Sequence, residues 1–187
     1  MTVPLLVASA RLVAAPLAVS VSRLVVRHTL KVWDLDDHTD TAGLVMSELV
    51  TNAVKATNDP HGVIGVQLCA VASSLYVEVW DTKADTLPVR KRPKTDAEGG
   101  RGLLLIDAVA ESWGTEPSRT GGKIVWADLG LGWPLTAPPS GTLHPPLQLP
   151  PGSRALRGRA EEQAKRALYE RVLTTVGNAQ SGVSRPG

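Results

Sequence analysis

Phenylalanine is absent from this chain of 187 residues, and cysteine, methionine and tyrosine are scarce, with one, two and two copies. The apolar core must therefore consist of aliphatic side chains and some of the five tryptophans. The single thiol, Cys69, excludes an internal disulfide. Because Cys69 lies in an apolar run, we expect a buried, unreactive thiol in a reducing compartment.

Strong charge of either sign is also missing. The formal net charge is +2, which is too small to indicate a nucleic-acid or membrane partner by electrostatics alone. The apolar beginning of the chain, residues 2–21, has no basic segment before it and is interrupted by Arg11 and Pro16, so no signal peptide is predicted. No uncharged run is long enough to cross a bilayer. We therefore expect a cytoplasmic protein with no direct nucleic-acid or membrane partner.

The most informative segment is an apolar run that carries two polar side chains, Glu48 and Asn52. At a spacing of four residues, both side chains lie on one face of a helix, one turn apart. Asn52 falls at the edge of the apolar stripe formed by Val45, Leu49 and Ala56. A polar group buried there without a partner costs about 1–3 kcal/mol. The partner is either another group of the protein or a ligand.

Three further features follow along the chain. Asp81 comes directly after a strand-like apolar run. A Gly-Gly-Arg-Gly cluster, residues 99–102, precedes an apolar helix. Glycines let the backbone approach a ligand closely, and the N–H groups at a helix start can hold phosphate oxygens. A Gly-Gly-Lys sequence, residues 121–123, opens the last predicted strand.

These pieces, in this order, resemble the GHKL ATP-binding fold. The resemblance is greatest to the stand-alone anti-sigma-factor serine-kinase-like ATPases of bacteria, especially the actinobacterial type, and it covers about residues 5–131. It rests on an N box, a reduced first glycine box, a second glycine box and a closing strand, which are residues 47–54 (SELVTNAV), 79–81 (VWD), 99–103 (GGRGL) and 121–126 (GGKIVW).

The resemblance implies a role for each matching residue. In kinase relatives the carboxylate at the position of Glu48 accepts the proton of the attacking serine hydroxyl, and the oxygen at the position of Asn52 binds Mg²⁺. The carboxylate of Asp81 would accept a hydrogen bond from the adenine amine, which suits ATP and disfavours a guanine carbonyl. The implied cofactors are ATP and Mg²⁺. The other nucleotide-binding positions implied are Gly100, Arg101, Gly102, Leu103 and Lys123, with Arg101 and Lys123 as candidates to neutralise phosphate.

Several positions depart from the pattern of the family. Lys83 and Asp85 stand where relatives have the glycines of the first box, and Ile124 stands where many have a hydroxyl residue. A basic histidine or arginine that is common after the N box is replaced by Lys55-Ala56. The two changes in the first box favour an alternative function, in which the fold serves as a non-catalytic interaction module with a degenerate nucleotide site.

The resemblance and the apolar patterns together predict a two-layer α/β sandwich of the GHKL type. We expect a mixed, mostly antiparallel sheet with helices on one face, and nucleotide between the helices and a lid formed by the polar loop 82–98. The predicted strands are residues 5–13, 63–70, 75–81, 112–116 and 123–129. The predicted helices begin near Pro16, at Asp40 or Thr41 as N-cap, and at Leu103.

The remainder of the chain has a different composition. Residues 132–152 are rich in proline, which predicts an extended linker between the 5–131 domain and a C-terminal part, residues 153–187. That part contains a predicted helix over residues 154–176 and a disordered end. The apolar stripe of the helix must either fold back on the domain or meet another chain. We favour a protein partner or a homodimer.

We therefore expect an ATP-binding regulatory protein that binds a partner protein, which by resemblance is a sigma factor or an anti-sigma antagonist, and that phosphorylates a serine of the antagonist. The non-catalytic interaction module is the alternative. The ATPase half of a sensor histidine kinase is disfavoured, because no pair of histidine-bearing dimerisation helices precedes the domain in this sequence.

Overall fold

The computed structural model describes residues 4–59, 61–84, 101–136 and 159–181, and of Arg101 only the backbone. Within these ranges it contains β1 (Leu5–Val13), α1 (Leu17–Val32), α2 (Thr39–Thr57), β2 (Val63–Val71), β3 (Ser74–Asp81), α3 (Arg101–Val109), β4 (Ser112–Pro117), β5 (Lys123–Asp128) and α4 (Arg159–Ser181). Most of the predicted lid loop and of the proline-rich linker lies outside the described residues.

The strands form one sheet in the order β1-β2-β3-β5-β4, and every neighbouring pair is antiparallel. The last strand, β5, therefore lies between β3 and β4 rather than at an edge. Its register with β3 sets Lys123 opposite Asp81. The predicted α/β sandwich is confirmed, and the sheet is antiparallel throughout the described part of the chain.

One face of the sheet is covered by α1, α2 and α3. Alternate residues of the strands, among them Val66, Val79 and Val125, belong to the main apolar cluster together with Leu49 of α2 and Ile106 of α3. Nearly every residue of β2 and β3 is buried, because these strands lie inside the sheet and are covered on both faces. Their sequences are accordingly apolar on both faces.

The opposite face of the sheet is covered by α4, which the expectation of helices on one face did not include. Ala164 and Leu168 of α4 form a second apolar cluster with Trp80 and Ile124 of the sheet. Gly65 of β2 allows this approach, since a Cβ on it would lie 3.3 Å from the Cβ of Ala164. Of the two arrangements predicted for the C-terminal helix, the structure contains the one in which it folds back on the domain.

The helix boundaries differ slightly from those predicted. The 3-10 turn Asp36–His38 runs directly into α2, which begins at Thr39, and its N-cap residue His38 makes no side-chain hydrogen bond. The predicted caps, Asp40 and Thr41, therefore lie inside the first turn. α4 continues to Ser181, five residues beyond the predicted end. None of the helices in the described ranges combines the length and the apolar character needed to cross a membrane.

Candidate functional site

The first part of the site is on α2, where Glu48 is half-buried and Asn52 is exposed. Val45, Leu49 and Ala53 are buried in the main apolar cluster and hold this helix against the sheet. The sequence pattern predicts that Asn52 is buried at the edge of the apolar stripe and therefore needs a partner. In the structure its side chain is exposed to solvent, so it has no desolvation cost that a partner must offset. Its amide oxygen is free to approach a ligand, and Glu48 lies one turn away on the same helix.

Gly102 in the first turn of α3 lies directly against Glu48. A Cβ on this glycine would come within 3.1 Å of the carboxyl carbon Cδ of Glu48 and closer still to Oε2. Any side chain at this position would therefore force the carboxylate or the helix to move. The tertiary fold thus joins the N box and the second glycine box, although Glu48 and Gly102 are more than fifty positions apart in the sequence.

The second part of the site is a buried ion pair at the ends of β3 and β5. The Lys123 Nζ donates to Asp81 Oδ1 at 2.8 Å, and the two side chains are 4% and 2% exposed. The same ammonium donates to the main-chain oxygen of Lys83 at 2.7 Å, and the Lys83 N–H donates to Asp81 Oδ1 at 2.9 Å. Burial raises the pKa of the Asp81 carboxyl above its ordinary value, while the hydrogen bonds from Lys123 and Lys83 oppose that rise.

The position of Lys123 is set by the glycine turn before it. Gly121 and Gly122 have φ values of +98° and +78°, in a region that side chains rarely adopt. A Cβ on Gly122 would lie 3.0 Å from the carbonyl carbon of Asp81, so the turn passes close to the end of β3. Trp80 Nε1 donates to the Gly121 oxygen at 3.0 Å and holds the turn there.

The other predicted residues of the second glycine box differ in how they are placed. Leu103 is 8% exposed and belongs to the main apolar cluster. Its side chain therefore packs in the core, and its contact with nucleotide stays a prediction. Gly100 lies outside the described residues, as does the side chain of Arg101. Lys123, a candidate for phosphate, directs its ammonium to Asp81 instead, so that its role at phosphate also stays a prediction.

Arg23 of α1 is a candidate that the sequence did not reveal. Its Nε donates to the Ser47 Oγ at 2.6 Å, and Ser47 is the neighbour of Glu48 in α2. Arg23 is otherwise exposed. The α1 sequence does not distinguish Arg23 from the nearby Arg27, because the contact with Ser47 depends on how α1 and α2 cross. The interaction places a cation beside the N box.

Both parts of the site belong to the same layer of the fold. Asp81 and Lys123 follow the alternation of Val79 and Val125, so they face the side of the sheet that α2 covers. The residues present fit the implied ligands. Asn52 has an exposed side-chain oxygen, the kind of ligand that Mg²⁺ prefers. Gly102 has no side chain, which leaves space beside the Glu48 carboxylate. In the described ranges no group of three or more His, Cys, Asp or Glu residues is arranged to hold a metal.

Comparison with known proteins agrees with this arrangement. None of the curated proteins matches the chain. The family model described as the histidine kinase-like ATPase domain matches residues 12–128. The matched segment runs from β1 to the end of β5, and so it includes the N box, Asp81, Gly102 and Lys123. It covers more than half of the chain, and the protein therefore belongs to the histidine kinase-like ATPase domain family.

Proposed function

We propose that the protein is an ATP-dependent serine/threonine kinase that acts on a partner protein as part of a regulatory pair, as the anti-sigma-factor kinases do. Membership of the ATPase family implies ATP binding. The observation that best supports phosphoryl transfer is the contact between the Glu48 carboxylate and Gly102, which brings the candidate base to the start of α3. The partner would be a sigma factor or its antagonist.

In the proposed reaction the serine oxygen of the partner attacks the γ-phosphorus of ATP, and the bond to the β,γ-bridging oxygen breaks, so that ADP leaves. The serine proton goes to Glu48. Asn52 would contribute one oxygen to Mg²⁺, and that ion would supply charge neutralisation at the phosphates. Asp81 binds the adenine of ATP. The N–H groups at the start of α3 are available to phosphate oxygens. Because phosphoryl transfer depends mainly on alignment and charge neutralisation, these groups form a sufficient set.

The experiment compares wild type with Glu48→Gln and Asn52→Ala. Binding of ATP with and without Mg²⁺ is measured by calorimetry, and transfer of labelled γ-phosphate to serine is measured in an extract of the source organism by mass spectrometry. We expect Glu48→Gln to bind ATP but to lose transfer by about 10²–10⁴-fold, the usual contribution of a general base. We expect Asn52→Ala to weaken Mg-ATP binding more than binding of the metal-free nucleotide.

Undiminished transfer by Glu48→Gln would contradict its role as the base. Lys55→Gln serves as the matched control, because Lys55 is an exposed charged residue of the same helix. It should change neither binding nor transfer.

The second candidate function is a non-catalytic interaction module. It is favoured by one specific observation, the Lys123–Asp81 ion pair, because an internal ammonium already occupies one oxygen of the adenine-binding carboxylate. The same experiment separates the two functions. A wild-type protein that binds its partner but neither binds nor turns over ATP would support the module and contradict the kinase.

A further inference from the structure

The corner of the sheet that holds Asp81 and Lys123 is closed in this structure. The two side chains are 2% and 4% exposed, and the Lys123 ammonium donates to Asp81 Oδ1 at 2.8 Å. A nucleotide base can reach the Asp81 carboxylate only after Lys123 has moved away from it. The corner must therefore open before Asp81 can bind adenine.

The turn before Lys123 restricts this movement. Gly122 lies against the end of β3, where a Cβ on it would come within 3.0 Å of the carbonyl carbon of Asp81. The Trp80 Nε1 donates to the main-chain oxygen of Gly121 at 3.0 Å and fixes the turn to the same strand. As long as the turn is held there, the start of β5 keeps Lys123 beside Asp81.

The first half of α4 holds the same turn from the opposite face of the sheet. The Thr120 Oγ1 donates to the main-chain oxygen of Gln163 at 3.0 Å. Trp80 is buried in an apolar cluster with Ala164 and Leu168 of α4. The helix thus contacts both the turn and the tryptophan that holds the turn.

The rest of α4 is attached to the sheet independently of the turn. The Gln67 Nε2 donates to the main-chain oxygen of Leu168 at 3.2 Å, and the Arg171 Nε lies 3.1 Å from Glu78 Oε1. Loosening the contact at Thr120 therefore leaves α4 bound to the centre of the sheet.

We propose that α4 is an autoinhibitory element, which restrains the turn at residues 118–122 and so keeps the nucleotide site closed. The inference rests on nucleotide binding at Asp81 in the proposed function, but not on kinase activity. The apparent affinity of a ligand that binds only an open state is reduced by the fraction of molecules in that state. Weakening the contact between α4 and the turn must therefore raise the affinity for ATP.

The test is calorimetry of the full chain with ATP and Mg²⁺, comparing wild type with Thr120→Val. This substitution keeps the shape of the side chain and removes its hydrogen bond to Gln163. Because one hydrogen bond has a modest net free energy, we expect the affinity for ATP to rise by about three- to tenfold.

Two controls isolate the contact with α4. Thr174→Val is the same substitution at an exposed threonine of α4, whose hydroxyl donates to the Glu170 main-chain oxygen within the helix, and it should leave the affinity unchanged. Ser118→Ala removes the partner that lies 2.9 Å from Thr120 Oγ1 inside the turn, without touching α4. It should raise the affinity less than Thr120→Val does.

A second measurement uses the wild type alone. Coupling between two sites is reciprocal, so a nucleotide that is opposed by α4 must in turn loosen α4. We expect amide hydrogen exchange in the first half of the helix, residues 159–168, to become faster when ATP binds. A helix that only supports the site would exchange more slowly instead.

Equal or weaker binding of ATP by a folded Thr120→Val overturns this inference and leaves the proposed function standing. Slower exchange in α4 with ATP, or an equal gain in Ser118→Ala, overturns it as well. Failure of wild type and variants alike to bind ATP overturns nucleotide binding itself, and the inference with it. If Thr120→Val does not fold, the hydrogen exchange of the wild type decides.

Discussion

Gly102 shows how a single missing side chain shapes this site. The glycine cluster is recognisable in the sequence, but its three glycines cannot be ranked there, because each of them permits close approach equally well. The structure separates them: at Gly102 a Cβ would meet the Glu48 carboxylate. The glycine is required by a neighbour on another helix rather than by a turn.

For single residues, we predict that two Gly→Ala substitutions have opposite effects on the free energy of unfolding. Gly102→Ala should destabilise the fold by about 1–3 kcal/mol, because the added methyl group overpacks against Glu48. Gly43→Ala should stabilise it by about 0.5–1 kcal/mol, since Gly43 lies inside α2 with nothing within 4 Å of a new Cβ. Urea denaturation of both variants checks the prediction. Equal effects would mean that Glu48 does not lie against Gly102 in solution.

Lys123 illustrates the limit of reading residues one at a time. In the sequence it is one more cation near a glycine turn, and phosphate is a reasonable expectation for its partner. In the fold its side chain is 4% exposed and paired with Asp81. The difference arises from the register of β3 and β5, which no local pattern specifies.

At the scale of elements, α4 carries the most unexpected contacts. Arg171 is fully buried, with its Nε 3.1 Å from Glu78 Oε1 and its Nη1 3.2 Å from Glu116 Oε1. Its guanidinium also lies 4.9 Å from the ring centroid of Trp126. In the helix sequence this arginine resembles its exposed neighbours. Its burial results from α4 lying across the sheet.

We predict that Arg171→Met destabilises the protein by about 3–5 kcal/mol, the usual effect of removing one partner of a buried ion pair. The buried charge of Glu78 would then have less compensation, so adding Glu78→Gln should recover part of the loss. Arg166→Met on the same helix is the control, because Arg166 and its partner Glu162 are both more than half exposed. Its expected effect is about 0.5 kcal/mol or less. Thermal or urea unfolding measures the stability of the Arg171→Met and Arg166→Met variants. Similar losses of stability in the two would contradict the structural role of Arg171.

At the scale of the whole molecule, the sheet is covered on both faces. α1 to α3 cover the side that carries the candidate site, and α4 covers the other. The sequence pattern predicts a domain over residues 5–131 that a linker separates from the C-terminal part. The contacts of α4 with Trp80, Ile124 and Glu78 indicate that it is part of the folded unit.

We therefore predict that a chain ending at Leu131 is strongly destabilised, because it exposes Trp80 and Ile124 and removes Arg171 from Glu78. A chain ending at Ser181 is the matched control, since it keeps all of α4, and it should unfold like the full chain. Near-ultraviolet circular dichroism and thermal melting distinguish the two. A stable, cooperatively folded chain ending at Leu131 would show instead that α4 is dispensable.

The sequence by itself determined the elements and the order of the motifs. The positions of α2, β2, β3 and β5 follow from apolar periodicity and turn residues, which are local properties. Glu48 and Asn52 stand out by their helical spacing, and the site roles of these two residues, of Asp81 and of the glycine clusters follow from the resemblance to the family. The family match over residues 12–128 agrees with that order.

Only the tertiary structure decided which of these residues meet. The contact of Glu48 with Gly102, the pairing of Lys123 with Asp81 and the burial of Arg171 each join segments that are distant in the chain. Periodicity tells which face of an element is apolar, but not which residue of another element lies opposite. Strand register and helix crossing settle that, and they are set by the packing of the whole core.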